Sequence, residues 1–180
     1  MQSDGIFILA ELKGEAGRRL REINERYDPR LARYKPPHLT ITGSSGVGPI
    51  PANTPVEELR AKLEPITSTT PPLELSLRPA QRFLQTNIIV LPLDHFGPLR
   101  ELHDRIAGSG LPFGRSRYTF SPHCTLSLYV TQPADAEQEL LGTKIDDTVI
   151  IDSIQLFHTR DPQPSRLLLE LPLTGGPKKN

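Results

Sequence analysis

Cysteine is all but absent from this chain. Cys124 stands alone, which excludes an internal disulfide and suits a reducing compartment. Net charge is absent as well: 21 Lys and Arg balance 21 Asp and Glu. The broad field that accompanies extended nucleic-acid binding or an anionic membrane surface is therefore missing, and any polyanion must be met locally. Long apolar runs are missing too. Ile6 to Ala10 is too short for a membrane span or the core of a signal peptide, and Met1 to Gly5 carries no basic region. No H-E-x-x-H occurs, and His95, His103 and His158 lack a spacing that would converge on a metal, so they are read as surface or sheet-edge residues. With no low-complexity tract or long linker, the expectation is a soluble, cytoplasmic monomer. Residues 1–174 form one domain with halves of about 1–80 and 81–174, and 175–180 form a flexible tail.

Gly5 to Leu12 reads as a buried strand, and Glu15 to Tyr27 as a helix with Ala16, Leu20 and Ile23 on one face. Asp28-Pro29 stops it. His38 to Thr42 alternates polar and apolar residues, as a half-buried strand does. Gly43 to Pro51 follows as a flexible loop. Thr54 to Ile66 opens with a cap, a proline at the first helical position and Glu57 at the third, marking a second helix. Leu73 to Leu77 alternates as a strand. The order then repeats: a strand over 83–93, a helix from Pro98 to Ala107, and Tyr118 to Val130 containing a second polar and apolar alternation. Pro133 to Leu141 is the counterpart of the helix over 54–66. Thr148 to Phe157 and Arg166 to Leu173 are read as a closing hairpin.

Aligning the halves places Pro37-His38-Leu39-Thr40-Ile41-Thr42 over Pro122-His123-Cys124-Thr125-Leu126-Ser127. The shared pattern is Pro-His-apolar-Thr-apolar-hydroxyl. On a strand, residues two apart share a face, so each histidine lies beside its threonine while Leu39 and Cys124 point into the core. This argues against a nucleophilic role for Cys124, which reads as a small buried hydrophobe. A pseudo-twofold axis between the halves would let the two His-Thr faces line one groove. Two imidazoles fit acid and base roles near neutral pH, and threonine hydroxyls donate to the non-bridging oxygens of a phosphate.

Two H-x-T motifs on strands in the halves of a duplicated α/β domain resemble the 2H phosphoesterases, which include the 2′-5′ RNA ligase-like and 2′,3′-cyclic phosphodiesterase proteins. The resemblance runs from about Gly5 to Leu173. It implies an α+β, bilobal fold with antiparallel sheets lining a central cleft, helices outside, no metal and no cofactor. It further implies hydrolysis of a 2′,3′-cyclic phosphate in a nucleotide or RNA end. The motifs themselves are symmetric; the expectation is His123 as base and His38 as acid, with weak ligase activity as the reverse reaction. Hydrolysis of another cyclic or 2′-5′-linked phosphodiester, and a non-catalytic nucleotide-binding module, remain open. Where the bacterial RNA-ligase-like branch often sets an arginine five residues after the second histidine, this chain has Leu128. Arg115 and Arg117 are expected to supply that charge, with Tyr118 to stack a base, and Tyr34 and Lys35 to act similarly before the first motif. Phe83 is assigned to the core.

Overall fold

The computed structural model describes residues 4–160 and 164–176. In chain order the elements are β1 (Asp4–Glu11), α1 (Gly14–Tyr27), α2 (Pro29–Tyr34), β2 (His38–Thr42), α3 (Val56–Thr67), β3 (Leu73–Leu75), β4 (Gln81–Arg82), β5 (Ile89–Pro92), α4 (Pro98–Ala107), β6 (His123–Ser127), α5 (Ala134–Leu141), β7 (Val149–Ile151), β8 (Ser153–Arg160) and β9 (Arg166–Pro172). Seven strands form one antiparallel sheet ordered β4-β5-β6-β2-β1-β8-β9, while β3 and β7 pair as a second, two-stranded sheet. The fold is α+β, as expected. Outward from the β6–β2 junction, β6, β5 and β4 on one side answer β2, β1 and β8 on the other.

That junction is the one place where the two groups of strands meet, through a single antiparallel pair, Leu39 with Cys124. Both residues are buried, as are Ile41 and Leu126 on the same face. Each of these side chains contributes about 1–3 kcal/mol by leaving water. Their burial is completed from behind by helices of the opposite half, since α1 packs on β6 and α4 packs on β2.

Two segments expected as single strands are each divided. The run over 83–93 turns at Leu84 to Asn87, where Gln85 takes φ 60° and Thr86 N–H donates to Phe83 O, producing the β4–β5 hairpin. The run over 148–157 breaks at Asp152 and passes from the small sheet (β7) to the large one (β8). The first break falls at the polar run Gln85-Thr86-Asn87, between apolar residues on either side; apolar continuity hides the second, because β7 and β8 are each largely buried in their own sheet. The helix expected to begin with a cap at Thr54 starts at Val56 after Pro55 and has no side-chain cap. His103, expected at the surface, is buried on α4, stacked on Phe120 with ring centroids 4.1 Å apart. The tail expected from Gly175 begins bound: Gly175 N–H donates to Thr70 O, while 177–180 lie outside the described residues. Among the described residues no helix is long and apolar enough to cross a membrane.

Asp28, expected only to stop α1, does more. It is fully buried, and its carboxylate accepts from Leu31 N–H at the start of α2 and from Leu128 and Tyr129 N–H, both at 2.7 Å, just after β6. One charge thus caps the unforeseen helix α2 and fastens it to the end of the second motif strand. Asp28→Ala leaves three amides, one buried and two part-buried, without this acceptor, at about 1.5–3 kcal/mol for each bond to a charged group before relaxation. We expect a loss of at least about 3 kcal/mol in urea unfolding, and a change under about 1 kcal/mol would refute the latch.

Candidate active site

Strand alternation on either side of the Leu39–Cys124 pair turns His38, Thr40, His123 and Thr125 to the face opposite the core. In an antiparallel pair the flanking positions stand across from one another, so His38 faces Thr125 and Thr40 faces His123. All four line a cleft of about 380 Å³. The walls include Tyr34 and Lys35 from the end of α2, Phe7 from β1, and Tyr129 after β6.

The two imidazoles are held in the same way. His38 Nδ1–H donates to Pro36 O at 2.7 Å and His123 Nδ1–H donates to Ser121 O at 2.8 Å. A carbonyl only accepts, so the proton sits on Nδ1 and each neutral ring is left with Nε2 as an acceptor. Burial lowers both pKa values. His38 falls to about 4, through burial first, then repulsion from Lys35, with a smaller contribution from His123; the bond to Pro36 O opposes these. His123 is lowered by burial alone, against the bond to Ser121 O. Its ring also meets Phe83 edge-on, with centroids 4.9 Å apart.

Of the binding residues expected from sequence, Tyr34 and Lys35 line the cleft and Arg115, Arg117 and Tyr118 do not. The loop carrying the latter three is fastened to the 43–50 loop by Gly48 N–H to Gly114 O, Gly114 N–H to Pro49 O and Gly46 N–H to Tyr118 O, which leaves their side chains exposed. The same bonds show that the 43–50 loop is a stitched connection rather than a free one. Lys35, not the arginine pair, brings positive charge: it is the only Lys or Arg among the described residues lining the cleft.

Phe83 walls the cleft instead of filling the core. Its placement follows from the β4–β5 turn, which apolar periodicity did not reveal. Tyr129 was missed because it belongs to no strand or helix; it meets Tyr34 edge-on at 5.5 Å, with the Arg30 guanidinium 4.4 Å from its ring centre. Gly43, at φ 122°, stands where any Cβ would strike the Phe7 ring, so this glycine lets Phe7 stand in the wall. Among the described residues no group of three His, Cys, Asp or Glu is arranged to hold a metal ion.

The model of the 2′-5′ RNA ligase superfamily matches residues 12–163. The chain belongs to this superfamily, the 2H phosphoesterases. Over 138 residues, 74% of each chain, it is 33% identical to a protein of Geobacillus thermodenitrificans named as a candidate phosphoesterase. A similarly named protein of Geobacillus kaustophilus is 29% identical over the same share. Among solved structures, a Thermus thermophilus protein superposes with a TM-score of 0.64 at 16% identity, covering 97% of this chain and 99% of the other. Escherichia coli LigT, solved with phosphate, superposes with a TM-score of 0.60 at 15% identity and the same coverage. These structural matches carry the fold. The family carries the class of chemistry, phosphoester transformation.

Two outcomes test the site's electrostatics. Cys124 is buried beneath the catalytic face and burial pushes its thiol up to about 12, so it should resist alkylation at about pH 8, near the ordinary thiol pKa, until the chain unfolds; rapid native labelling would contradict this. For His38, an unfolded pKa of 6.5 and a folded value of about 4 mean that the unfolded chain binds more protons between these pH values. The stability it contributes is complete above about pH 6.5, declines as pH falls towards about 4, and changes no further below. Urea midpoints of the wild type should therefore fall more steeply across this window than those of His38→Gln; parallel slopes would show that the folded state does not hold His38 neutral.

Proposed function

We propose that the cleft hydrolyses a 2′,3′-cyclic phosphodiester at a nucleotide or RNA terminus. The observation that carries this reading is the convergence of His38 and His123, each pinned at Nδ1 and free at Nε2, with Thr40 and Thr125 across from them. The phosphate lies between the two diagonals, its non-bridging oxygens accepting from the threonine hydroxyls and from Lys35, where negative charge builds in the transition state. Tyr34 and Tyr129 offer aromatic surface to a base. That LigT has been solved with phosphate, with ATP and with 3′-AMP supports a nucleotide as the substrate class.

One histidine takes a proton from water as its oxygen bonds to phosphorus. The other gives its Nε2 proton to the ribose oxygen as the P–O bond breaks. The products are a phosphomonoester and a free hydroxyl, and the proton taken from water later restores the acid through solvent. The side chains argue for a division opposite to the one expected from sequence. Deeper burial and then Lys35 beside it favour the neutral ring of His38, the base, whereas His123 is lowered by burial without such a cation and holds a proton more readily, the acid.

With EDTA present, the wild type should hydrolyse 2′,3′-cyclic mononucleotides. His38→Ala and His123→Ala should each lose roughly 10²–10⁴ in kcat, and Thr40→Ala or Thr125→Ala about 10²-fold. Nucleotide binding without turnover would replace the hydrolase with a binding module, and cleavage confined to 2′-5′ linkages would move the substrate. Roles separate on a 2′-deoxynucleoside 3′-(4-nitrophenyl phosphate), which has no 2′-hydroxyl to attack phosphorus, so that water is the nucleophile and the leaving group departs without a proton. The His123 variant should retain most activity on it and the His38 variant little; the reverse pattern would restore His123 as the base.

A further inference from the structure

A second depression lies beside the cleft and shares no lining residue with it. It holds about 420 Å³, within the roughly 300–1,000 Å³ typical of small-molecule sites. Pro92 of β5 stands directly across from His123, so this groove begins where the catalytic row ends. Its wall continues through Ser121 and Pro122, the two residues before His123, and reaches Arg78, Gln81 and His95. The groove and the aromatic pair lie at opposite ends of the catalytic strands. Tyr34 and Tyr129 stand where β2 begins and β6 ends, and the groove stands where β6 begins and β5 ends.

We infer that this groove binds the nucleotide preceding the terminal one, so that the preferred substrate is an oligoribonucleotide end rather than a free cyclic mononucleotide. The inference rests on the hydrolase reading and deepens it. With the terminal base against Tyr34 and Tyr129 and the cyclic phosphate between the histidines, the strand has to leave past His123 towards Arg78. The chemistry along that path suits one nucleotide. Arg78 supplies a cation; its guanidinium reaches Asp94 at 3.3 Å across an exposed pair, which is weak in water and can be exchanged for a phosphate. Gln81 and Ser121 offer hydrogen bonds at the edge of a base or ribose. At the far end His95 packs on the exposed Phe96 ring with centroids 4.2 Å apart, giving an aromatic surface on which a base of any identity can stack. A neutral chain that meets its polyanion locally needs such a short run of contacts and no longer one.

Turnover of a 2′,3′-cyclic mononucleotide is to be compared with that of a trinucleotide ending in the same cyclic nucleotide, in the wild type, Arg78→Ala and His95→Ala. The expected result is a KM at least about tenfold lower for the trinucleotide in the wild type, the scale of one stacked base. That advantage should shrink by about tenfold in either variant, with mononucleotide turnover unchanged. Arg78→Ala should also flatten the salt dependence of the trinucleotide KM, since one phosphate contact is lost. Equal KM values for the two substrates in the wild type would overturn the groove while leaving the hydrolase intact, and so would variants that lose both activities together. A wild type that turns over neither substrate would overturn the hydrolase reading and this inference with it.

Discussion

The Leu39–Cys124 pair is the constraint on which the site depends. Because side chains alternate along a strand, sending these two residues into the core obliges their four neighbours to face the other way. A slip of one residue in either strand would bury a histidine and a threonine and expose a leucine or the thiol, so the hydrophobic core itself holds the catalytic register. The junction being a single pair also matters. It sets one residue of each strand on either side of the pair, so the two histidines and two threonines form a compact group on the open face, and that face is the floor of the cleft.

The remaining polar contacts hold this junction from behind and from the sides. Asn24, buried on α1, donates to Thr125 O and Leu126 O, grasping the second motif strand by its backbone. Gln132 joins Tyr27 O to Ser127 Oγ, and the Asp28 carboxylate collects the amides just after β6. The end of α1 is therefore tied to the end of β6 by side chains of three kinds. The functional consequence is positional precision, since a proton donor displaced by about 1 Å loses much of its effect. The carbonyls of Pro36 and Ser121 do the equivalent work on the rings themselves, each locking the tautomer from two residues upstream.

What could be read in the sequence follows the same physics. The first motif strand came out to the residue, His38–Thr42, because period-two alternation over five residues has one interpretation once both faces differ in polarity; the second was placed within the longer run Tyr118 to Val130, of which only His123–Ser127 is strand. Helix α1 was similarly legible from the apolar stripe of Ala16, Leu20 and Ile23. The cleft walls were not. Phe83 reaches His123 only because a turn at Gln85 reverses the chain, and Tyr129 reaches Tyr34 only because Asp28 holds its loop, a bond between residues far apart in sequence. Arg115, Arg117 and Tyr118 erred in the other direction. Their charge and proximity to the second motif suggested contact, but backbone pairing with the 43–50 loop, invisible in composition, turns them to solvent.

The proposed hydrolysis sets a duplicated site a problem that duplication cannot solve: it needs unlike partners, and symmetry supplies like ones. Both motifs carry the same proline, histidine and threonine, and both rings make the same upstream bond, so nothing within the motifs distinguishes acid from base. A difference enters three residues before each histidine. Lys35 occupies that place in the first half, a half-buried cation that disfavours a proton on His38. Phe120 occupies it in the second, a buried ring stacked on His103 that carries no charge. This substitution between repeats adds to the difference in burial that already separates the two imidazoles. On the proposed reading the balance shifts when a phosphate binds, because its negative charge offsets that of Lys35, which then presses less on His38. In the proposed reaction the same lysine helps to hold the base neutral before binding and meets the negative charge afterwards, two demands on one side chain in a cleft whose lining contains no other Lys or Arg among the described residues.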